Sequence, residues 1–379
     1  MIPKNGLFDK GPPRDTSAEY RLLYEPKHES ATQARAHCEE LWREYRDIAE
    51  RDFCKRFPVE FRQRWFEMYL AVALRRSGLT VTAPRPGPDL QVVIEGGRVA
   101  IEAISPTGGD LLHADAVPEP VYWDEEGNHV AARVPHDQIA LRVAHAFRKK
   151  REEFDRYRAS GYISNDCPCL IAISIRGIPH AWPDAEEFWF RGLYGLGNEF
   201  VTVDPQTGRM VSQGREQRSL LERQSGAAEE VSPLIMEDRS EISGVIGVSA
   251  DVANIPDPLG DDFFVLPHAI PKFPYPSGFI KRGTEVVLTA DDNGGWNIAR
   301  IDHGMSDARG PEKITIEVDG RAVEGEWSRR GRELAVKVGS RGHALILIRA
   351  QDPAEVARRV VAEIVLSEAR WSSNSPNTD

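Results

Sequence analysis

Gly87-Pro88-Asp89-Leu90-Gln91-Val92-Val93-Ile94-Glu95-Gly96-Gly97-Arg98-Val99-Ala100-Ile101-Glu102-Ala103-Ile104 sets the architecture of this chain. Two runs rich in Val and Ile flank Gly96-Gly97, and a glycine pair supplies the positive φ angles of a two-residue primed turn. The segment therefore reads as strand, turn, strand. With the two glycines as the turn, Glu95 pairs with Arg98, Gln91 falls opposite Glu102, and Asp89 falls opposite Ile104. Asp89 and Glu102 then lie diagonally on one face, near enough to share an ion. Leu90, Val92, Ile94, Val99, Ile101 and Ala103 occupy the other face, so the alternation itself marks the core side. Taken alone, the acids fit equally well as the solvent side of an ordinary amphipathic hairpin.

Outward from the hairpin, Phe61, Trp65, Phe66, Tyr69, Leu70, Ala73 and Leu74 recur at helical spacing until Ser77-Gly78 stops the pattern, and 79–82 reads as a short strand. Residues 31–56 also look helical, whereas 1–30, broken by Pro12, Pro13 and Pro26, read as an irregular arm. After the hairpin, 105–135 is a long irregular segment of the kind that is more often functional or mobile than accidental. A helix is expected over 136–158. Cys169-Leu170-Ile171-Ala172-Ile173-Ser174-Ile175 then reads as a strand buried on both faces. A short helix at 186–194, a polar excursion at 204–232 and a strand at 242–248 follow. The order predicts a mixed central sheet flanked by helices over 31–282. From 283 to 351 short β runs separated by Asp/Asn/Gly turns predict a small β-rich module, and 352–379 a last helix (353–368) with a polar tail.

With 379 residues, 41% of them hydrophobic, the chain can bury a substantial core. No apolar run has the length of a membrane span and the opening residues lack a signal-peptide core, so no membrane partner and a cytoplasmic location are expected. The four cysteines are too few for a disulfide scaffold. Cys167-Pro168-Cys169 lacks a second ligand pair at metal spacing. His113, His129, His136 and His145 share no ligand spacing either, and Trp182, Trp189 and Phe190 read as core. A net charge of -11 opposes general nucleic-acid binding, so any basic contact surface must be local.

The helix from His136 carries one anomaly. Ile139, Val143, Ala146, Phe147, Phe154 and Tyr157 share one face at 100° per residue, and Lys150 falls in the middle of that apolar stripe. A lysine there either snorkels past the apolar surface or meets carboxylates. Asp89 and Glu102 are the candidate partners, and two acids with one ammonium suit metal-assisted phosphodiester hydrolysis. Glu67, beside Leu70 and Leu74 on the preceding helix, is the candidate third acid. Arg142 and Lys149, on a different side of the helix from Lys150, and Gln91 on the hairpin are the candidate substrate contacts.

Glu67, then Pro88-Asp89, then Ile101-Glu102-Ala103-Ile104, followed by a helix and a buried strand, resembles the PD-(D/E)xK nuclease superfamily over about 58–175. The resemblance implies a restriction-endonuclease-like fold, Glu67, Asp89 and Glu102 as ligands of Mg²⁺ or Mn²⁺, and nucleic acid, DNA before RNA, as substrate. The chain departs from the pattern at Ile104, which stands where the motif lysine belongs, two residues after the second acid. Lys150 fits a lysine supplied from a neighbouring helix. Two functions follow: a divergent metal-dependent nuclease, or an inactive nuclease-fold scaffold with a protein partner or a second copy of itself. Convergence of Asp89, Glu102 and Lys150 is expected of the first, and a solvent-facing Lys150 of the second.

Overall fold

The computed structural model describes residues 6–9, 11–95, 97–120, 134–181, 185–223, 226–276, 278–290, 296–304, 312–318, 321–328, 333–338 and 342–347. The chain divides into two compact units at Gly304. The first begins with four helices, α1 (Ala18–Tyr24), α2 (Glu29–Tyr45), α3 (Phe53–Arg56) and α4 (Phe61–Arg76). Strands β1 (Thr80–Thr82), β2 (Leu90–Ile94) and β3 (Gly97–Ile104) follow, then α5 (His136–Ala159), β4 (Cys169–Ser174) and α6 (Ala185–Trp189), which runs into a wider helical turn at Phe190–Tyr194. Two short hairpins, β5 (Leu196–Val203) with β6 (Met210–Gln217) and β7 (Leu220–Glu222) with β8 (Ala228–Glu230), precede β9 (Gly244–Val248), β10 (Phe263–Pro267), β11 (Gly283–Ala290) and β12 (Trp296–His303).

One eight-stranded sheet, in the order β1-β2-β3-β4-β9-β10-β11-β12, organises the unit. β3, β4 and β9 run parallel, as do β10 and β11, while the other neighbours are antiparallel, so the sheet is mixed as expected. β4 is buried at all six positions, which is why its sequence lacks polar alternation. Successive side chains feed two cores. Val99, Ile101, Ala103, Leu170 and Ala172 pack with α1, α2 and α4, and Ala100, Ile171 and Ile173 pack with α5 and α6. Each fully buried Leu, Ile or Phe in these layers contributes about 1.5–3 kcal/mol.

Several expectations change. The expected arm at 1–30 contains α1, because Ser17 caps it by accepting from the Tyr20 amide and because Tyr20 and Leu23 enter the core. The helix expected over 31–56 is two helices, α2 and α3, joined by a turn. The polar excursion at 204–232 includes most of the two hairpins. The β-rich module does not begin at residue 283: β11 pairs in parallel with β10 and β12 with β11, so both belong to the main sheet. The second unit holds β13 (Glu312–Val318), β14 (Arg321–Ser328), β15 (Glu333–Val338) and β16 (Gly342–Leu347), a four-stranded antiparallel sheet in sequence order. The helix and tail expected at 352–379, with Trp182 and His129, lie outside the described residues. Among the described residues no helix is long and apolar enough to cross a membrane.

Candidate functional site

The hairpin register differs from the expected one by two residues. Ile94 pairs with Gly97 and Leu90 with Ile101, so Gly97 belongs to the strand and the turn lies one residue earlier. A shift of two preserves every side chain's face, so the hydrophobic pattern could not detect it. Continued by one pair, the observed register sets Asp89 directly across from Glu102 rather than diagonal to it, and Ile104 has no β2 partner. Where the β2–β3 ladder ends, the two acids take over its hydrogen bonds. The Asp89 amide donates to Glu102 Oε1 at 3.0 Å, and the Ala103 amide donates to Asp89 Oδ2 at 2.9 Å. The acids are thus fixed by the backbone they flank.

α5 covers the face of β3 on which Glu102 lies, and its apolar stripe brings Lys150 there. Lys150 Nζ donates to Glu102 Oε2 at 2.6 Å and to Asp89 Oδ2 at 3.2 Å. Side-chain exposure is 14% for Lys150 and 2% for Glu102, against 23% for Asp89, so this is a largely desolvated triad. Glu67 approaches from α4, on the other side of the sheet. Gln63 Nε2 donates to Glu67 Oε1 at 2.9 Å and to the Ala103 carbonyl at 3.0 Å, while Gln63 Oε1 accepts from the Ser105 amide. One glutamine therefore ties Glu67 to the end of β3. Arg64 Nη1 lies 2.7 Å from Glu67 Oε2 and 3.7 Å from Glu50 Oε2, and Arg64 Nη2 lies 3.0 Å from Glu60 Oε2.

The electrostatics follow from crowding three acids in a dry place. Burial, then the Asp89 charge, pushes both Glu67 and Glu102 up to about 7. Burial acts against the Lys150 ammonium, but Asp89 and Glu102 outweigh it and hold its pKa above the usual lysine range. Tyr157, one helical repeat beyond Lys150, is raised by burial and then by Glu102 and Asp89. Tyr157, Gln63 and Arg64 were not among the expected site residues. The only sequence signal for them was position: Tyr157 seven residues after Lys150, and Gln63 and Arg64 four and three before Glu67.

The candidate substrate contacts are dispersed. Lys149 is exposed. Arg142 is half-buried, and its Nε donates to the Thr107 carbonyl at 3.1 Å at the start of the irregular loop. Gln91 is buried and accepts from Arg98. Gln91 is therefore a structural hydrogen-bond partner within the hairpin and is not presented to a substrate. The four cysteines are free thiols, Cys38, Cys167 and Cys169 being buried.

Glu67, Asp89 and Glu102 supply hard carboxylate oxygens, the donor type Mg²⁺ and Mn²⁺ take, and burial is the main reason the Glu67 and Glu102 carboxyls are raised. As the side chains stand, however, no three His, Cys, Asp or Glu side chains among the described residues form a group that could hold a metal, and the Lys150 ammonium contacts both Asp89 and Glu102. No family model, curated protein or solved structure matches the chain.

Proposed function

We propose that the protein is a divergent metal-dependent nuclease that hydrolyses phosphodiester bonds, in DNA before RNA, on a restriction-endonuclease-like core. The observation that carries this reading is the meeting of Lys150 with Asp89 and Glu102, three residues separated by up to 61 positions in the chain. Lys150 meets carboxylates instead of snorkelling past the apolar surface to solvent, and the two acids it meets lie together at the end of the β2–β3 ladder.

Glu67, Asp89 and Glu102 would hold Mg²⁺ or Mn²⁺. A bound divalent ion supplies Lewis-acid polarisation of a phosphoryl oxygen and a water of lowered pKa. The chain's own groups do the rest. Gln63 and Arg64 hold Glu67 in one orientation, which keeps its oxygens placed before substrate arrives. Lys150 stays protonated and offsets negative charge that develops on the phosphoryl oxygens as the attacking oxygen adds. Tyr157 lies close enough to Glu102 and Asp89 for their charge to add to burial in holding its hydroxyl protonated. Lys149 gives an exposed cation on the same helix for a flanking phosphate.

A second reading rests on Ile104 in the place of the motif lysine and on Lys150 already neutralising Asp89 and Glu102: a nuclease-fold binding module without activity. Cleavage of linear, nicked and single-stranded DNA with Mg²⁺ or Mn²⁺, comparing wild type with Asp89→Ala and Lys150→Ala, separates the two. Metal-dependent cleavage abolished by either substitution is expected. Cleavage unchanged by both overturns the site, and calorimetry showing no divalent-ion binding favours the binding module.

A further inference from the structure

On α5, Arg148 and Arg151 are turned by about 160° and 100° from Lys150, so they point away from the acid cluster. There a cavity of about 170 Å³ opens between α5 and the β7–β8 hairpin, lined by Phe147, Arg148, Arg151, Glu229, Glu230 and Arg239 among others. Its size excludes a drug-sized ligand, which needs about 300 Å³ or more, and suits a single small ion or functional group. Three guanidiniums from two separate parts of the chain converge on it.

The polar accounting in the wall is incomplete. Glu229 is held by Arg148 and by Arg223, and Glu230 by Arg239, which also pairs with the exposed Asp238. Among the described residues Arg151 has no comparable partner: Glu241 is 3.8 Å from its Nη1, and its Nε is buried without a hydrogen bond. A buried guanidinium N–H left unmade is a cost that an acceptor in the cavity removes. Near the cavity, burial first and then neighbouring guanidiniums lower Arg142 (Arg223) and His145 (Arg148 and Arg142), while Asp115 and Glu229 act in the opposite sense.

We infer that this cavity binds a tetrahedral phosphate-class anion, held by the guanidiniums of Arg148, Arg151 and Arg239. Guanidinium forks match phosphate oxygens in pairs, and three of them around one small space favour an anion with several equivalent acceptors. The anion is either a free phosphate or a backbone phosphate of a nucleic acid bound across the outer side of α5. The inference does not depend on catalysis.

The test uses the full chain and inorganic phosphate, with sodium chloride at matched ionic strength as the control, and reads thermal midpoint and calorimetric heat. Phosphate is expected to raise the wild-type midpoint where chloride does not, and Arg151→Gln and Arg239→Gln are each expected to weaken phosphate binding at least tenfold. Arg239 is the more exposed of the two, so its variant keeps the test available where Arg151→Gln fails to fold. No phosphate-specific shift in the wild type, or a shift retained in both variants, overturns the inference. Displacement of phosphate by a mixed-sequence duplex identifies a nucleic-acid backbone as the source, and retention identifies a free phosphate.

Discussion

Replacing Lys150 by Met keeps the length of the side chain and its contact with the apolar stripe but removes the charge between Asp89 and Glu102. At an effective dielectric constant of about 20, unit charges at the observed 2.6 Å and 3.2 Å attract by about 6 and 5 kcal/mol. Those gross terms are reduced by the lysine's own desolvation and by uptake of a proton on Glu102. Breaking a buried pair by removing one partner costs about 3–5 kcal/mol, and the partial exposure of Asp89 favours the lower end. The expected loss is therefore about 3 kcal/mol at pH 8. At pH 5.5 Glu102, at about 7 in the wild type, is already protonated, so Lys150 retains only its Asp89 pair. The loss then falls to about 1 kcal/mol. Denaturant titration followed by the fluorescence of the buried Trp42, Trp65 and Trp189 measures the first unit. A Lys150→Met protein as stable as wild type at pH 8, or one with the same loss at both pH values, refutes the claim that Lys150 neutralises the acids.

Millimolar Ca²⁺ is expected to raise the melting midpoint of Lys150→Met more than that of wild type, because the ammonium no longer competes for the carboxylates; scanning fluorimetry checks this. Glu102 has a folded-state pKa raised to about 7, so its contribution to stability is full below about 4.5 and is lost as pH rises through about 7. In Glu102→Gln that part of the pH dependence disappears, which denaturation midpoints across pH 4–8 will show. Arg64→Met leaves the buried Glu67 without its cation and is expected to destabilise by about 3–5 kcal/mol in denaturant titration. Gly247→Ala places a Cβ 2.6 Å from Trp189 Cε2, which costs about 1–3 kcal/mol and shifts the Trp189 emission.

How far the chain could be read depended on whether a feature was local. The β2–β3 hairpin, α4 and α5 were legible because each carries its own periodicity, and the doubly buried β4 because its apolar run is nearly continuous. So was Lys150, since a cation within an apolar stripe is visible without knowing what it meets. The hairpin register was not, because a slip of two leaves the same residues on the same faces and only the turn distinguishes the alternatives. The membership of β11 and β12 was hidden for a different reason: short alternating strands look alike whether they extend a large sheet or form a separate one, and β11's partner is β10. The roles of Gln63 and Arg64 were illegible in principle. Both sit on a helix full of buried residues, and their function is defined by contacts with Glu67, Ala103 and Ser105 that only the folded chain brings together.

The strand order also bears on how the protein is made. β4 is the parallel neighbour of β3 and therefore part of the scaffold under the acids, yet its other edge stays open until β9 arrives about 70 residues later. At about 5–20 residues per second, a ribosome leaves that largely apolar edge unpaired for roughly 4–14 s. The two hairpins between β4 and β9 are synthesised in that interval, and a nascent chain held at this point offers a chaperone or a second nascent chain one identifiable strand, Cys169–Ser174.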